Sequence, residues 1–527
     1  MKNKLFILLK MQFMGSFGIN KLLHGKRKGQ AVGFGMAIAA VLALFALFEG
    51  IVCLYAWLFA FGLAEADVAN AGSLYMGLVF LLTSFILFVF SLANVNGKVF
   101  GFRDYEMTVS LPVETWQIAV SKIAFLYLSN IAAAVAIMVP FWIFGAVYLG
   151  FSPATHGSIV LLLFFAPLFP TFLAVFFGTL LAIATARMKH KAAMQTVFFL
   201  VIVVAAVIVP YLLPQGKGSG EELAAMATVF SFAAVLFEKF WVAAAYSAVS
   251  AALFVLPCLF IGKFFTKINT LILSHKATSK YQLKEQKTAG KLKALFVKEI
   301  KRLFGCPVYA MNTICAPVMM IIFPVIILLS SETDFGAIRT LFQNQGYFGA
   351  FCLTLVSVFS TIPTTFCAIS MEGKNFWILR SAPLSVRTVL TAKLLVNTVI
   401  ETLPGMVITL IYGILLGVGA GYIAFAVICG ALLSTACGIF GLLFNLKFPM
   451  LEWENETIPV KRGKSGIFTM LVNFAAFIVV GVSGWFLLGV MPIAALAVMM
   501  VLAVLYVLIG LFFLNGKGED LYNKLIG

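Results

Sequence analysis

The chain has 527 residues, of which 62% are hydrophobic and 11% are charged, and its mean hydropathy is +1.06. Soluble globular domains carry about 25% charged residues, so this composition excludes that class. The formal net charge of +17 is interpreted as a sign of membrane topology and contact with anionic lipid, and nucleic acid is not an expected partner.

Apolar stretches long enough to cross the roughly 30 Å hydrocarbon core of a bilayer recur along the chain. Because a backbone in lipid must satisfy its own hydrogen bonds, these stretches are predicted to be helices. We predict an all-α integral membrane protein with about 12 transmembrane helices in two parallel six-helix repeats. The predicted spans are residues 31–62, 74–96, 120–149, 157–184, 193–213, 241–265, 308–330, 346–370, 391–416, 421–445, 467–489 and 492–514.

The basic residues predict the orientation of these spans. If the N-terminus is cytoplasmic, all of the 37 Lys and Arg except Lys217, Lys239 and Arg339 fall in cytoplasmic segments. The acidic residues do not follow this bias, which is the pattern that the positive-inside rule describes. We therefore expect a multi-pass protein of the cell membrane with its N- and C-termini in the cytoplasm.

Composition also divides the chain into five predicted segments. Each half begins with a cationic helix that is expected to lie on the cytoplasmic membrane surface. The break between the halves is rich in Lys, Ser and Gln and is predicted to be a flexible linker. The segments are an interfacial helix in residues 1–30, the first half 31–265, the basic linker with a second interfacial helix 266–306, the second half 307–515, and a cytoplasmic tail 516–527.

A short polar segment occurs twice, after the second predicted span of each half. A shift of 271 residues superposes Ser110 on Ser381, Pro112 on Pro383 and Lys122 on Lys393. We call residues 103–122 the first motif loop and residues 372–393 the second motif loop. Their matching place in the plan of spans indicates an internal repeat and predicts a shared role.

Each motif loop is predicted to form a short helix, a turn at its proline and then a new helix, because proline disfavours helix at the residue before it. Mixed charges and aromatic side chains on such a segment suit a groove on a soluble partner. The alternative is an amphipathic loop that lies on lipid headgroups. The candidate docking residues are Arg103, Asp104, Tyr105, Glu106, Ser110 and Pro112, and then Glu372, Lys374, Asn375, Phe376, Trp377, Arg380, Ser381 and Pro383.

The sequence offers no nucleotide-binding loop. Gly463-Lys464-Ser465 ends like one, but Ile458 stands where the P-loop requires its first glycine. The four histidines and eight cysteines show no spacing typical of metal ligands, and the cysteines are interpreted as packing residues. We therefore expect that the chain is not an enzyme and that it holds no metal or cofactor.

Two carboxylates fall inside predicted spans. Glu49 lies near the middle of the first span, and an ionisable group there suggests a pathway or gating role, with simple helix packing as the alternative. Glu401 lies near the start of the ninth span. Its side chain could extend to the cytoplasmic interface, which favours a residue with no functional role. Two widely separated acids do not make a proton relay.

The motif loops resemble those of permease subunits of ATP-binding-cassette exporters of the ABC-2 type, in particular a bacterial group that fuses two six-span halves. The resemblance extends over nearly the whole chain, and the segments that carry it are 17–23, 104–112, 372–383, 393–397 and 446–455. It implies that each motif loop is a coupling helix for a separate ATPase subunit, so that one chain works with two ATPase copies in a bacterial plasma membrane.

The resemblance also implies that residues 5–13 and 292–304 are connecting helices beside the ATPases, and that ATP-driven closure moves cargo outward between the halves. Abundant Phe and scarce charge in the spans favour a lipid, hydrophobic peptide or amphipathic drug as cargo. Glu106-Met-Thr is less apolar than the family pattern, so the first loop is expected to couple less strongly. The alternatives are a secondary transporter with twelve spans and a non-transporting sensor or scaffold worked by an ATPase.

Overall fold

The structure is a computed structural model of the chain. It describes residues 2–17, 28–65, 70–100, 105–186, 188, 191–212, 232–274, 290–329, 339–340, 342–359, 362–453 and 456–526. Arg103 and Asp104, which we predict to be docking residues, and residues 275–289 of the basic linker lie outside these ranges.

Contacts within the chain define two compact units. The first unit is Met1–Gln195 with Val209–Ser279, and the second is Thr196–Ile208 with Lys280–Gly527. The division between them falls in the predicted basic linker, while residues 196–208 group with the second unit although they lie in the first half of the sequence. The five segment boundaries given above stay predictions.

Long helices dominate the first unit. In chain order they are α1 (Lys2–Phe17), α2 (Lys28–Glu65), α3 (Ala71–Lys98), α4 (Tyr105–Val109), α5 (Thr115–Leu149), α6 (Pro153–Phe165), α7 (Leu168–Thr185), α8 (Lys191–Leu212, whose middle belongs to the second unit) and α9 (Phe240–Ser274). The fourth predicted span is thus two helices, because Pro167 lies at the junction of α6 and α7.

The second unit repeats this order with one interruption. Its helices are α10 (Lys291–Gly305), α11 (Pro307–Leu329), α12 (Gly346–Phe359), α13 (Phe376–Ser381), α14 (Val386–Asn397), α15 (Leu403–Leu415), α16 (Ala420–Lys447), α17 (Thr457–Arg462), α18 (Lys464–Leu488) and α19 (Pro492–Asn523). A π-helical segment, Thr398–Thr402, joins α14 to α15.

Among the described residues, nine helical stretches are long and apolar enough to cross a membrane. They correspond to the first four predicted spans, the sixth, and the ninth to twelfth. The other three predicted spans contain the shorter apolar helices Ala193–Ala205 and Gly346–Val358 and helix α11. The predicted all-α membrane class is confirmed.

Two segments differ from the sequence-based expectation. The eighth span was expected to be one helix over residues 346–370, but α12 ends at Phe359, and residues 362–375 contain only the short 3-10 turns Thr364–Phe366 and Ser370–Asn375. The predicted tail, residues 516–527, continues α19 as far as Asn523, because Tyr522 is buried against the second motif loop.

Candidate functional site

The described parts of the two motif loops have the same order of elements. Helices α4 and α13 begin at Tyr105 and Phe376, and helices α5 and α14 begin at Thr115 and Val386, so the 271-residue shift holds for both pairs. This confirms the predicted order of short helix, turn and new helix. The new helix begins three residues after the proline, because Glu114 and Ser385 act as its N-caps.

Equivalent hydrogen bonds close the two turns. The Ser110 hydroxyl donates to the carbonyl of Met107 at 2.8 Å, and the Ser381 hydroxyl donates to that of Ile378 at 3.2 Å. Each bond binds the end of the short helix to its own last turn. Ser110 and Ser381, which the sequence comparison aligned, therefore have one structural role.

A lysine from each interfacial helix fixes the proline of its loop. Lys4 Nζ on α1 donates to the Pro112 carbonyl at 2.9 Å, and Lys291 Nζ on α10 donates to the Pro383 carbonyl at 2.9 Å. Four residues further on, Leu8 and Leu295 are both buried in the cores beneath the loops. The spacing Lys-x-x-x-Leu in both helices is the sequence signal that could have predicted these contacts.

Exposure divides the predicted docking residues into an outer and an inner set. Tyr105 packs on Phe265 of α9 with ring centroids 6.1 Å apart, and Phe376 is buried against Tyr522 of α19 at 5.2 Å. Both aromatic side chains therefore anchor their loop to the last helix of the same half. Phe376 is buried and does not present its ring to a partner in this structure, whereas Tyr105 is only half-buried. The exposed predicted residues are Glu106, Ser110, Pro112, Lys374, Asn375, Trp377, Arg380, Ser381 and Pro383.

Each short helix holds an exposed apolar side chain at an equivalent position, Met107 in the first loop and Ile378 in the second. In the second loop, Trp377 and Ile378 are 61% and 51% exposed, and in the first loop Met107 is 76% exposed beside the exposed Glu106. We call Glu106 with Met107 and Trp377 with Ile378 the two outer faces. A large apolar side chain held outward on a rigid turn is typical of an anchor for a protein partner.

Glu372 does not belong to an outer face. Its carboxylate is buried and contacts three cations: Lys298 Nζ at 2.7 Å, Arg302 Nη1 at 2.5 Å and Lys393 Nζ at 3.0 Å. Glu299 also lies 3.0 Å from Lys393 Nζ. Glu372 was predicted to face a partner, but its carboxylate is buried inside the chain, where it neutralises the buried positive charge.

We call Lys298, Glu299, Arg302, Glu372 and Lys393 the ion cluster. It joins the interfacial helix α10 to the second motif loop and to the helix α14 that leads into the membrane. Burial alone would raise the pKa of Glu372, but the charges of Lys393, Arg302 and Lys298 outweigh it and hold the pKa well below its usual range. Burial lowers the pKa of Lys298 despite the neighbouring carboxylates.

Four of the five positions of the ion cluster have uncharged equivalents in the sequence of the first half. Aligning Lys4 with Lys291 places Met11, Gln12 and Gly15 where Lys298, Glu299 and Arg302 stand, and the 271-residue shift places Gly101 opposite Glu372. Gln12 instead donates to the Ser121 hydroxyl at 3.0 Å. At the position of Glu299, the described contact is therefore a neutral hydrogen bond in the first half and an ion pair in the second.

The segment that carries Glu372 is held by side chains from elsewhere in the second unit. The Asn445 amide oxygen accepts from the backbone N–H groups of Ile369 and Ser370 at 2.6 and 3.0 Å. Trp453 Nε1 donates to the Ser370 carbonyl at 2.7 Å. These contacts give a structural role to the segment around residues 446–455.

A substitution at Gly373 tests whether Trp453 helps to hold the segment that carries Glu372. Its φ of +56° and ψ of −141° are favourable only for glycine, and a Cβ there would lie 2.9 Å from the Trp453 ring. We expect Gly373→Ala to destabilise the chain by about 2–3 kcal/mol, measured by thermal unfolding in detergent. Gly150→Ala is the comparison, because its φ of +61° and ψ of +72° lie in the αL region that other residues tolerate and nothing lies within 4 Å of its Cβ position. Equal losses in the two variants would show that neither the backbone conformation of Gly373 nor the Trp453 contact adds to the cost.

Glu49, the predicted pathway or gating residue, lies in α2. Its side chain is partly exposed, and its Oε1 is buried without a hydrogen-bond partner among the described residues. The described part of the chain also contains no group of three or more His, Cys, Asp or Glu side chains that could hold a metal ion. The role of Glu49 stays a prediction.

Comparison with known proteins identifies one family. A family model described as a membrane protein of 12 TMs matches residues 47–515. No curated protein and no solved structure matches the chain.

Proposed function

Since the chain belongs to the family of membrane proteins of 12 TMs, we propose that it is the membrane-spanning permease of an ABC-2 type exporter that is driven by separate ATPase subunits. The observation that carries the proposal is the pair of outer faces, which occupy equivalent positions on two rigid turns. One chain with two such faces has the valency to bind two ATPase copies. The membrane in question is the bacterial plasma membrane, with the motif loops on its cytoplasmic side.

The attachments of the loops support a mechanical role. After the turn, each short helix is followed by a helical stretch that is long enough to span a membrane. These stretches are Thr115–Leu149 in the first half and Val386–Leu415 in the second, which includes the π-helical segment Thr398–Thr402. The lysine contacts to Pro112 and Pro383 add the interfacial helix to the same rigid body. A displacement of an outer face by a partner would therefore reach the span without being absorbed in a flexible joint.

Under this proposal, ATP binding brings two docked ATPases together and the paired loops carry the movement into the spans. The cargo is hydrophobic or amphipathic, a lipid, peptide or drug, because the spans are rich in Phe and poor in charge. Glu49 contributes a polar group to the pathway or its gate. The competing function is a secondary transporter with twelve spans, which would leave the outer faces without a partner.

Affinity purification of the tagged chain from its native membrane in mild detergent tests the proposal. We expect an ATP-binding-cassette ATPase to co-purify at about two copies per permease chain. A variant with Glu106, Met107, Trp377 and Ile378 all replaced by Ala is expected to lose the ATPase while its thermal unfolding is unchanged, because all four side chains are exposed.

The matched control is Glu519→Ala, which alters an exposed residue of α19 outside both motif loops. It is expected to retain the ATPase. If the folded wild-type chain purifies without any ATPase, or if the four-residue variant retains the ATPase at the wild-type ratio, the proposal is wrong and a secondary transporter becomes the favoured function.

A further inference from the structure

Glu401 is the most deeply buried carboxylate in the described part of the chain. Its side chain is fully buried, so the sequence-based expectation that it reaches the membrane interface is wrong. One carboxyl oxygen, Oε2, accepts from the backbone N–H of Ile362 at 3.3 Å. The other, Oε1, is buried and has no hydrogen-bond partner among the described residues.

The backbone is irregular on both sides of this contact. Glu401 lies within the π-helical segment Thr398–Thr402, and Ile362 lies in the non-helical segment that follows α12. Irregular backbone at membrane depth persists only where other groups satisfy it, and interrupted helices and π segments are common at functional sites. Here the Asn397 amide oxygen accepts from the Thr364 N–H at 2.8 Å, and Pro363 has no N–H to satisfy.

The internal repeat supplies a neutral counterpart of the same contact. The 271-residue shift places Asn130 at Glu401 and Ser91 at Ile362. Asn130 is also fully buried, and its amide nitrogen donates to the Ser91 hydroxyl at 2.5 Å. The two positions therefore touch in both halves, and the first half fills the buried site with an uncharged amide.

Few charged groups approach the elements that pack around residues 398–402. The titratable groups on those elements are Tyr309, Cys315, Cys367, Lys393, Tyr412, Tyr422, Cys429 and Cys437, with Arg387 and Lys447 at the ends of α14 and α16 far from Glu401 along the helix. None of them forms an ion pair with Glu401 in the described structure. Lys393, the nearest cation along the chain, lies 3.0 Å from both Glu299 and Glu372.

An ionised carboxylate without a cation partner costs far more to bury than a neutral carboxyl group with one unmade hydrogen bond. We propose that Glu401 is a proton-binding site within the second half of the chain, occupied by a proton while the contact to Ile362 is closed. The proton leaves to water when the contact between the carboxyl group and the Ile362 N–H breaks, and the carboxylate is then hydrated. This site is independent of the proposed ATPase partners.

Two measurements on the purified full-length chain in detergent test the proposal. A hydrophobic carbodiimide, which reacts with protonated carboxyl groups in apolar surroundings, is expected to label Glu401, with labelling falling as pH rises. Peptide mass spectrometry would locate the label. Glu401→Gln is expected to lose this label, whereas Asn130→Asp, which places an acid at the equivalent buried site, is expected to gain one.

Thermal unfolding of wild type and Glu401→Gln between pH 5 and pH 9 is the second measurement, and it requires no reagent access. A proton held by the folded chain and released on unfolding stabilises the fold at low pH, so this stability is lost as pH rises. The ratio of the two unfolding constants is therefore expected to change by up to tenfold per pH unit, with wild type becoming the less stable protein.

The Gln variant keeps an acceptor for the Ile362 N–H and retains the ion cluster, so other titrations cancel in the comparison. A difference between the two proteins that stays constant across this pH range would overturn the proposal. The proposal would also be overturned if Na⁺, added at fixed pH and ionic strength, stabilised wild type but not Glu401→Gln. The site would then bind a metal cation in place of a proton.

Discussion

Replacing Glu372 with Gln is expected to destabilise the chain by about 3–5 kcal/mol, the usual cost of removing one partner from a buried ion pair. The variant leaves Lys298, Arg302 and Lys393 with Glu299 as their only carboxylate in the described cluster. Lys393 is the most affected, because its side chain is 1% exposed and water does not reach it. The loss therefore comes from unpaired positive charge more than from the missing contact.

The pH dependence of this effect has a defined sign. The pKa of Glu372 is lowered in the folded chain, so its stabilisation is present above the unfolded value of about 4.3 and is lost as pH falls toward the folded value. The difference between wild type and Glu372→Gln is expected to be full at pH 7 and to shrink below about pH 4.

Thermal unfolding followed with a thiol-reactive dye measures the loss at pH 7, since Cys306, Cys367, Cys429 and Cys437 are buried and become reactive on unfolding. The pH series is followed by circular dichroism, because the dye reacts with the thiolate, which is absent below about pH 4. Glu106→Gln is the control, because it removes an exposed carboxylate from the first motif loop. Adding Lys393→Met to Glu372→Gln should recover part of the loss. A Glu372→Gln protein as stable as wild type at pH 7 would show that the cluster does not hold the second loop.

Replacing both Trp377 and Ile378 with Ala is expected to weaken binding of the proposed ATPase about a hundredfold, or about 3 kcal/mol. The reason is that a large exposed aromatic side chain on a fixed turn contributes far more to binding than the polar residues around it. The affinity would be measured by titrating the purified ATPase against the chain in nanodiscs, with unfolding temperature as a check on folding.

The first motif loop provides the comparison. Glu106→Ala with Met107→Ala is expected to weaken binding only about tenfold, since an exposed charge at a rim and a flexible Met contribute less than Trp. This ordering agrees with the ion pairs that Glu372 forms in the second loop and with the neutral hydrogen bond between Gln12 and Ser121 in the first half. Equal losses from the two loops would contradict unequal coupling, and no loss from either would contradict docking at the outer faces.

The fold class, most spans and the repeat could be predicted from the sequence because each depends on local composition. Long apolar runs dictate helices, and the recurrence of Ser and Pro in register dictates the same turn twice. The break after α12 was missed because residues 346–370 are apolar enough for one helix. Pro363 was the one sequence feature that indicated a break in this helix. The break is stable because Asn397 and Asn445, which lie on other helices, accept hydrogen bonds from the N–H groups of Thr364 and Ile369.

The candidate site was predicted only in part because packing decides which side chains face outward. Nothing in the first loop distinguishes Tyr105 from Met107 until Phe265 is known to lie beneath it. The ion cluster was missed for the same reason, since its members come from three separate segments of the chain. A charge pattern within one segment cannot reveal partners about seventy residues away along the chain.

The contrast between Asn130 and Glu401, and between Gly101 and Glu372, has a genetic consequence. In a transporter assembled from two identical six-span chains, one codon specifies both copies of a position, so an acid introduced in one half appears in the other. A single reading frame that encodes both halves removes this constraint. Selection can then alter one half independently of the other, and the asymmetry at these positions is a divergence that two identical chains could not show.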